Sequence, residues 1–181
     1  MGQNKKKKGF TLNKESDTIN VSVEKLWEIA GKQFADAYKW STSVDHSSGS
    51  GTAQFEGATC DARSCDLNAK GFNKVDEKLT NYDDEKMNLA YDVVGGLPGF
   101  VDKVSNNWTV LSVGENQSKI VMVMTFEVSG IMGTLMKGMM KKQIEKLINM
   151  VMIDLKIYAE TGHPSDAKQK RIDELAKEMV D

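Results

Sequence analysis

The chain has two cysteines, two histidines, no long apolar run and almost no net charge, and each shortage closes off a class of function. Cys60 and Cys65 give neither a disulfide framework nor, without a nearby histidine, a four-ligand zinc site. Five residues apart, they fall on opposite faces of a strand, as two partly buried thiols in a reducing compartment. His46 lies in a Ser/Gly-rich stretch and His163 beside Gly162 and Pro164, so both read as solvated loop histidines, outside any catalytic triad. No metal site or cofactor is implied. No segment approaches the roughly 20 apolar residues that cross a bilayer, so no stable membrane insertion is expected. The formal net charge is −2, with 24 basic and 26 acidic residues, which gives the chain no electrostatic reason to seek nucleic acid. Met1-Gly2-Gln3-Asn4 followed by Lys5 to Lys8 has no apolar segment behind it and so is no secretory signal. Lys6 stands where a myristoylation motif requires Ser or Thr. The expectation is a cytoplasmic protein with a disordered basic leader over residues 1–15 and a protein partner left unknown.

What remains is ordinary for a globular domain: 181 residues, 40% hydrophobic and 28% charged. Ser16 to Val23 carries β-branched residues and reads as a short strand. Ser22 caps a helix starting near Val23, with Leu26, Trp27, Ile29 and Ala30 on its apolar face. Gly31 interrupts it, a second helical turn spans Phe34 to Tyr38, and Trp40 follows. His46 to Gly51 reads as a flexible loop. A period of two then takes over. Thr59 to Leu67 and Phe72 to Tyr82 form a hairpin, and Lys86 to Val94 places Met87, Leu89, Tyr91 and Val93 on one face. Lys103 to Val113 and Ser118 to Ser129 form two longer strands, the second with Ile120, Met122, Met124, Phe126 and Val128 on one side.

From Met132 to Glu160 the period changes to that of a helix. Met136, Met140, Ile144, Leu147, Val151, Leu155 and Tyr158 make one continuous apolar stripe. Gly162 to Pro164 ends it, and Ser165 opens a last amphipathic helix. A five-stranded antiparallel run and one long helix each have an apolar face that the other must cover, which makes the fold α+β.

This order of elements carries a resemblance. Val23-Glu24-Lys25-Leu26-Trp27, Trp40 after the second helical turn, Glu77-Lys78-Leu79 ahead of Tyr82-Asp83, and Leu97-Pro98 before the strand bearing Trp108 are similar to the polyketide cyclase/dehydrase family. That family belongs to the START-like, helix-grip superfamily, and the resemblance covers about residues 16–161, leaving 162–181 as an appended helix. It implies a curved antiparallel sheet wrapped around the long helix, with a cavity between them for a lipid, sterol, polyketide or other small hydrophobic molecule. The ligand-binding residues expected from the inward faces are Trp40, Met87, Tyr91, Trp108, Met124, Met136, Met140 and Ile144. Eight of the eleven methionines crowd the last strand and the long helix. Such side chains suit an adaptable pocket and suit an ordinary core equally well.

Candidate chemistry centres on Glu77. Val75, Glu77 and Leu79 share one strand face and Lys74, Asp76 and Lys78 the other, which turns Glu77 inward. A hairpin turn centred on Lys70 puts Arg63 directly across from Glu77, and Cys65 across from Val75. The pair either braces the hairpin or serves a reaction, with Glu77 as acid/base and Arg63 or Tyr91 polarising an oxygen. The Gly-x-x-Arg step that the resemblance leads one to expect reads Gly57-Ala58-Thr59-Cys60 here, with Arg63 three residues beyond it. Lys137, Lys141, Lys142 and Lys146 are expected to be a solvated helix face. The expected function is to bind, and carry, a small hydrophobic ligand, with a cyclase, dehydratase or isomerase as the alternative.

Overall fold

The computed structural model describes residues 8–69 and 72–178. Seven strands form one antiparallel sheet: β1 (Lys8–Glu15), β2 (Val44–Ser50), β3 (Ala62–Ala69), β4 (Phe72–Asp83), β5 (Asn88–Gly95), β6 (Val101–Gly114) and β7 (Gln117–Val128). Their spatial order is β1-β7-β6-β5-β4-β3-β2, so the two strands nearest each other in sequence at the start of the chain lie at opposite edges. Between them run α1 (Val23–Trp27), a π-helical turn over Glu28–Lys32 and a 3-10 segment over Phe34–Lys39. Two helices close the chain, α2 (Gly130–Thr161) and α3 (Asp166–Glu178). This is the α+β helix-grip architecture, and its core joins the inner sheet face to α1 and to Met140, Ile144, Ile148, Met152, Leu155 and Ala159 of α2.

Local chemistry explains the breaks. Ser22 Oγ accepts the Lys25 backbone N–H at 3.3 Å and starts α1. The Trp27 ring folds onto Gly31, where a Cβ would meet ring carbon at 2.5 Å, so only glycine allows the chain to turn there. Gly162, with φ of 76°, ends α2 by donating its N–H to the Tyr158 carbonyl at 2.8 Å.

Two expectations are corrected at the sheet edges. The basic leader does not extend to residue 15: Lys8–Glu15 pairs with β7 along eight residue pairs, Leu12 is buried and Phe10 stacks on Phe126 at 4.9 Å. Phe10 and Leu12 alternate with Gly9, Thr11 and Asn13, a strand pattern that the adjacent lysines obscure. Residues 1–7 lie outside the described residues. Because β1 already occupies the edge of β7, the β-branched run from Ser16 to Val23 makes a single bridge, Ile19 to Ser118, in place of the expected strand.

The second correction concerns His46 to Gly51, of which His46 to Ser50 belongs to strand β2. Its small residues serve close approach. Ser47 Oγ donates to the Ala35 carbonyl at 2.7 Å and accepts the Tyr38 N–H at 3.1 Å, while a Cβ on Gly49 would stand 3.1 Å from Cys60 Sγ. His46 is exposed on this strand, with its ring 5.9 Å from that of Tyr38. His163 is exposed beyond α2. Cys60 precedes β3, so the two thiols do not share a strand, although both are buried.

The last helix is firmly docked. Asp154 of α2 accepts the Thr42 N–H at 2.8 Å and the Ser165 hydroxyl at 2.6 Å. Lys168 is 1% exposed and donates to the Val44 carbonyl at 2.6 Å, and Arg171 bonds Asp45 through two nitrogens at 2.8 and 2.6 Å.

Candidate functional site

A cavity of about 150 Å³ lies between the sheet and α2. The 3-10 segment contributes Phe34, Ala37 and the following Trp40, and α2 contributes Ile144, Leu147, Ile148 and Val151. Most of the lining is apolar; its polar side chains on the sheet are mainly Arg63, Cys65, Glu77, Tyr91 and Asn106 on β3 to β6, and Gln33, Trp40, Ser41 and Ser43 line it from the segment before β2.

The register that brings them together follows from the hairpin. Arg63 pairs with Glu77 and Cys65 with Val75, as the alternation of charged and apolar residues on β4 requires. Arg63 Nε donates to Glu77 Oε2 at 2.5 Å and Nη1 to the Phe34 carbonyl at 2.5 Å. Its guanidinium carbon lies 4.0 Å from the centroid of the Phe34 ring and 5.3 Å from that of Tyr91. Glu77 Oε2 also accepts the Cys65 thiol at 3.9 Å. On the neighbouring strands, Asn106 Nδ2 donates to the Tyr91 hydroxyl at 2.9 Å.

Burial and the Arg63–Glu77 pair set the ionisation of these groups. Desolvation disfavours the charged guanidinium of Arg63, but the Glu77 carboxylate, together with Cys65 and Tyr91, holds the group above its ordinary range. Burial pushes the Cys65 thiol up to about 12, with Arg63 opposing and Glu77 adding to the rise. Burial likewise raises Tyr91, reinforced by Glu77. At neutral pH the thiol and the phenol are therefore neutral donors, and Cys65 is no nucleophile.

Three buried polar atoms on lining residues have no hydrogen-bond partner among the described residues: the indole N–H groups of Trp40 and Trp108, and Asn106 Oδ1. Whichever way the Asn106 amide is turned, Tyr91 satisfies one end of it and leaves the other open. Buried groups of this kind are ordinarily paired, so their clustering around one cavity marks the cavity as a place where polar atoms are expected to arrive.

The expected ligand-binding residues divide. Trp40, Tyr91, Trp108, Met124 and Ile144 line the cavity, together with Arg63 and Glu77. Met87, Met136 and Met140 do not, and their assignment to the lining is corrected. Met87 sits in the turn before β5 with φ of +49°, which takes its side chain out of the alternation that Leu89 and Tyr91 follow. Met136 and Met140 lie one to two turns before Ile144, where they pack into the core. In that part of α2, Gly133 rests on Val128 and the Phe100 carbonyl, beyond the cavity. Asn106 was not anticipated. Its signal is a single polar residue in the inward series Val104, Asn106, Trp108, Val110, all four buried. No group of three His, Cys, Asp or Glu side chains converges on a possible metal position among the described residues.

The model of the family described as polyketide cyclase/dehydrase and lipid transport matches residues 14–159. The chain belongs to that family. Among solved structures, this family member is similar to the crystal structure of an uncharacterized protein from Bacillus thuringiensis, at 17% identity and a TM-score of 0.57. That match covers 82% of this chain and 98% of the other. With 241 solved chains matching, the architecture is widespread and does not by itself select a function. Among curated proteins, none matches this chain. No helix among the described residues is long and apolar enough to cross a membrane.

Proposed function

We propose that this family member binds a small, mostly apolar and uncharged molecule bearing a hydroxyl or carbonyl oxygen, and that it acts as a carrier. The observation that carries the reading is the cancellation of charge in the cavity. Among the described residues the only charged side chains lining it are Arg63 and Glu77, and they neutralise each other. A fatty-acid carboxylate or an amine would enter as an unpaired charge in an apolar enclosure, which is strongly unfavourable. A neutral oxygen meets the opposite situation, since the Trp40 and Trp108 indoles are donors without acceptors and the Asn106 amide has one open end. At about 150 Å³ the space suits a single ring, and a sterol or long lipid needs α2 to move away from the sheet.

A cyclase, dehydratase or isomerase is the second reading. It is favoured by the Glu77 carboxylate and the Tyr91 phenol lining the same cavity, with Arg63 bonded to the one at 2.5 Å and 5.3 Å from the ring centroid of the other. The carrier differs from it in returning its ligand unchanged.

Three ligands of one shape test the proposal: toluene, p-cresol and p-toluate, titrated while the tryptophan indole signals are followed by NMR. The expected result is that p-cresol moves the Trp40 and Trp108 signals, leaves Trp27 (bonded to Asp84 at 2.6 Å) in place, and binds at least tenfold more tightly than p-toluate. Tighter binding of p-toluate overturns the neutral-ligand reading. If none of the three moves those signals, the cavity is not a site for single-ring ligands and the proposal falls.

A further inference from the structure

The first three turns of α2 break the rule that a surface helix turns a polar face to water. Ile131 is 81% exposed, Leu135 72%, Met132 56% and Met139 47%. Ile131, Leu135 and Met139 follow one another at four-residue steps, so they form one stripe, directed away from the buried face of Gly133, Met140 and Ile144. Residues 130–140 include no acidic side chain, and their single charge is Lys137. Exposed Lys141, Lys142 and Lys146 continue the outer face in the next turns. The start of β1 reaches the same place, since Lys8 Nζ donates to Thr134 Oγ1 at 3.2 Å. Against Lys8, Lys137, Lys141, Lys142 and Lys146 stand Glu145 on the helix, Asp102 bonded by Ser129 and Glu127 opposite Gly9, so this apolar end of a chain of net charge −2 is basic on balance.

We propose that this end is a docking face for the surface of an anionic phospholipid bilayer. The chemistry fits in both parts. Exposed Ile, Leu and Met side chains on a helix face can enter the boundary between headgroups and acyl chains, while the neighbouring lysines meet the lipid phosphates and carboxylates. A symmetric pairing with a second copy would set the same lysines against one another. The face adjoins the ligand cavity through one loop: Gly133 lies against the Phe100 carbonyl, and Leu97 three residues earlier lines the cavity. Docking here brings the bilayer, the reservoir of apolar molecules, next to a wall of the cavity. The inference goes beyond the ligand reading and stands independently of it.

The test is co-sedimentation of the full chain with vesicles of phosphatidylcholine alone and with vesicles containing about 30% phosphatidylserine, whose negative surface potential attracts basic segments. The expected partitioning is at least tenfold stronger onto the anionic vesicles and falls steeply in 0.5 M salt. The double variants I131S/L135S and K141E/K142E should each lose at least tenfold, with unchanged melting temperatures because all four positions are exposed. Equal sedimentation of wild type and both variants overturns the proposal, as does wild type that ignores anionic vesicles. Sedimentation velocity and retention on immobilised polyglutamate supply the remaining outcomes. A dimer abolished by I131S/L135S, without vesicle binding, assigns the face to a second copy. Retention on polyglutamate that depends on the lysines and not on Ile131 or Leu135 assigns it to an acidic protein. Either result overturns the lipid assignment.

Discussion

The side chains of Arg63 and Glu77 are 11% and 10% exposed, so their pair has left water almost completely. Two consequences separate. Removing one partner strands a charge, and Glu77→Gln should cost roughly 3–5 kcal/mol of stability, read from urea denaturation midpoints. Removing both, as in R63M/E77L, should recover most of that loss, because an apolar pair of similar volume has no desolvation penalty to offset. Two equally unstable variants would show that the pair acts through the Phe34 carbonyl and the aromatic rings more than through its charges. The sequence disclosed this pair because both the inward turn of Glu77 and the hairpin register follow from period-two alternation. It did not disclose the Phe34 carbonyl as Arg63's other partner, since that contact joins elements 29 residues apart through an irregular helix.

Among the elements, α3 shows how a polar helix is held. Its surface composition suggested an appendage, yet it is fastened by Lys168, Arg171 and the Asp154–Ser165 bond. Burial lowers the Lys168 pKa below its ordinary 10.5, with Arg171 acting in the same direction and Asp45 and Asp154 against it. The sign of the linkage follows. In the window between the lowered folded value and 10.5 the unfolded chain binds more protons, so stability gains a rising contribution as pH climbs through that window. The difference in urea midpoint between wild type and K168M should therefore shift in favour of wild type from pH 7 towards pH 10, and a difference that stays flat would place the amine in water.

The elements that sequence patterns misplaced, β1 and β2, share a cause. Both are edge strands whose inward residues are few, and in β2 serine and glycine stand where a helical segment must come close. The long helix was legible from its stripe, but not the point along it where the cavity lies. That point depends on where the sheet recedes from the helix, and no periodicity encodes it.

At the scale of the molecule, the sheet depends on a strand that composition disguised as a tail. A chain beginning at Ser16 would lose eight residue pairs along β7 and the burial of Phe10 and Leu12. The expected loss is about 3–5 kcal/mol, comparable to deleting one or two core side chains. For a domain of this size that is a fall of about 6–20 °C in melting temperature by calorimetry. An unchanged transition would mean that β1 contributes nothing to the folded state.

The placement of β1 also has a consequence for biosynthesis. Its partner β7 begins at Gln117, about a hundred residues after β1 ends at Glu15. At ~5–20 residues per second, the ribosome needs roughly 5–20 s to supply that partner. Throughout that interval β1 lacks its partner, and Lys8 and Lys14 within it disfavour pairing with the same edge on a neighbouring chain.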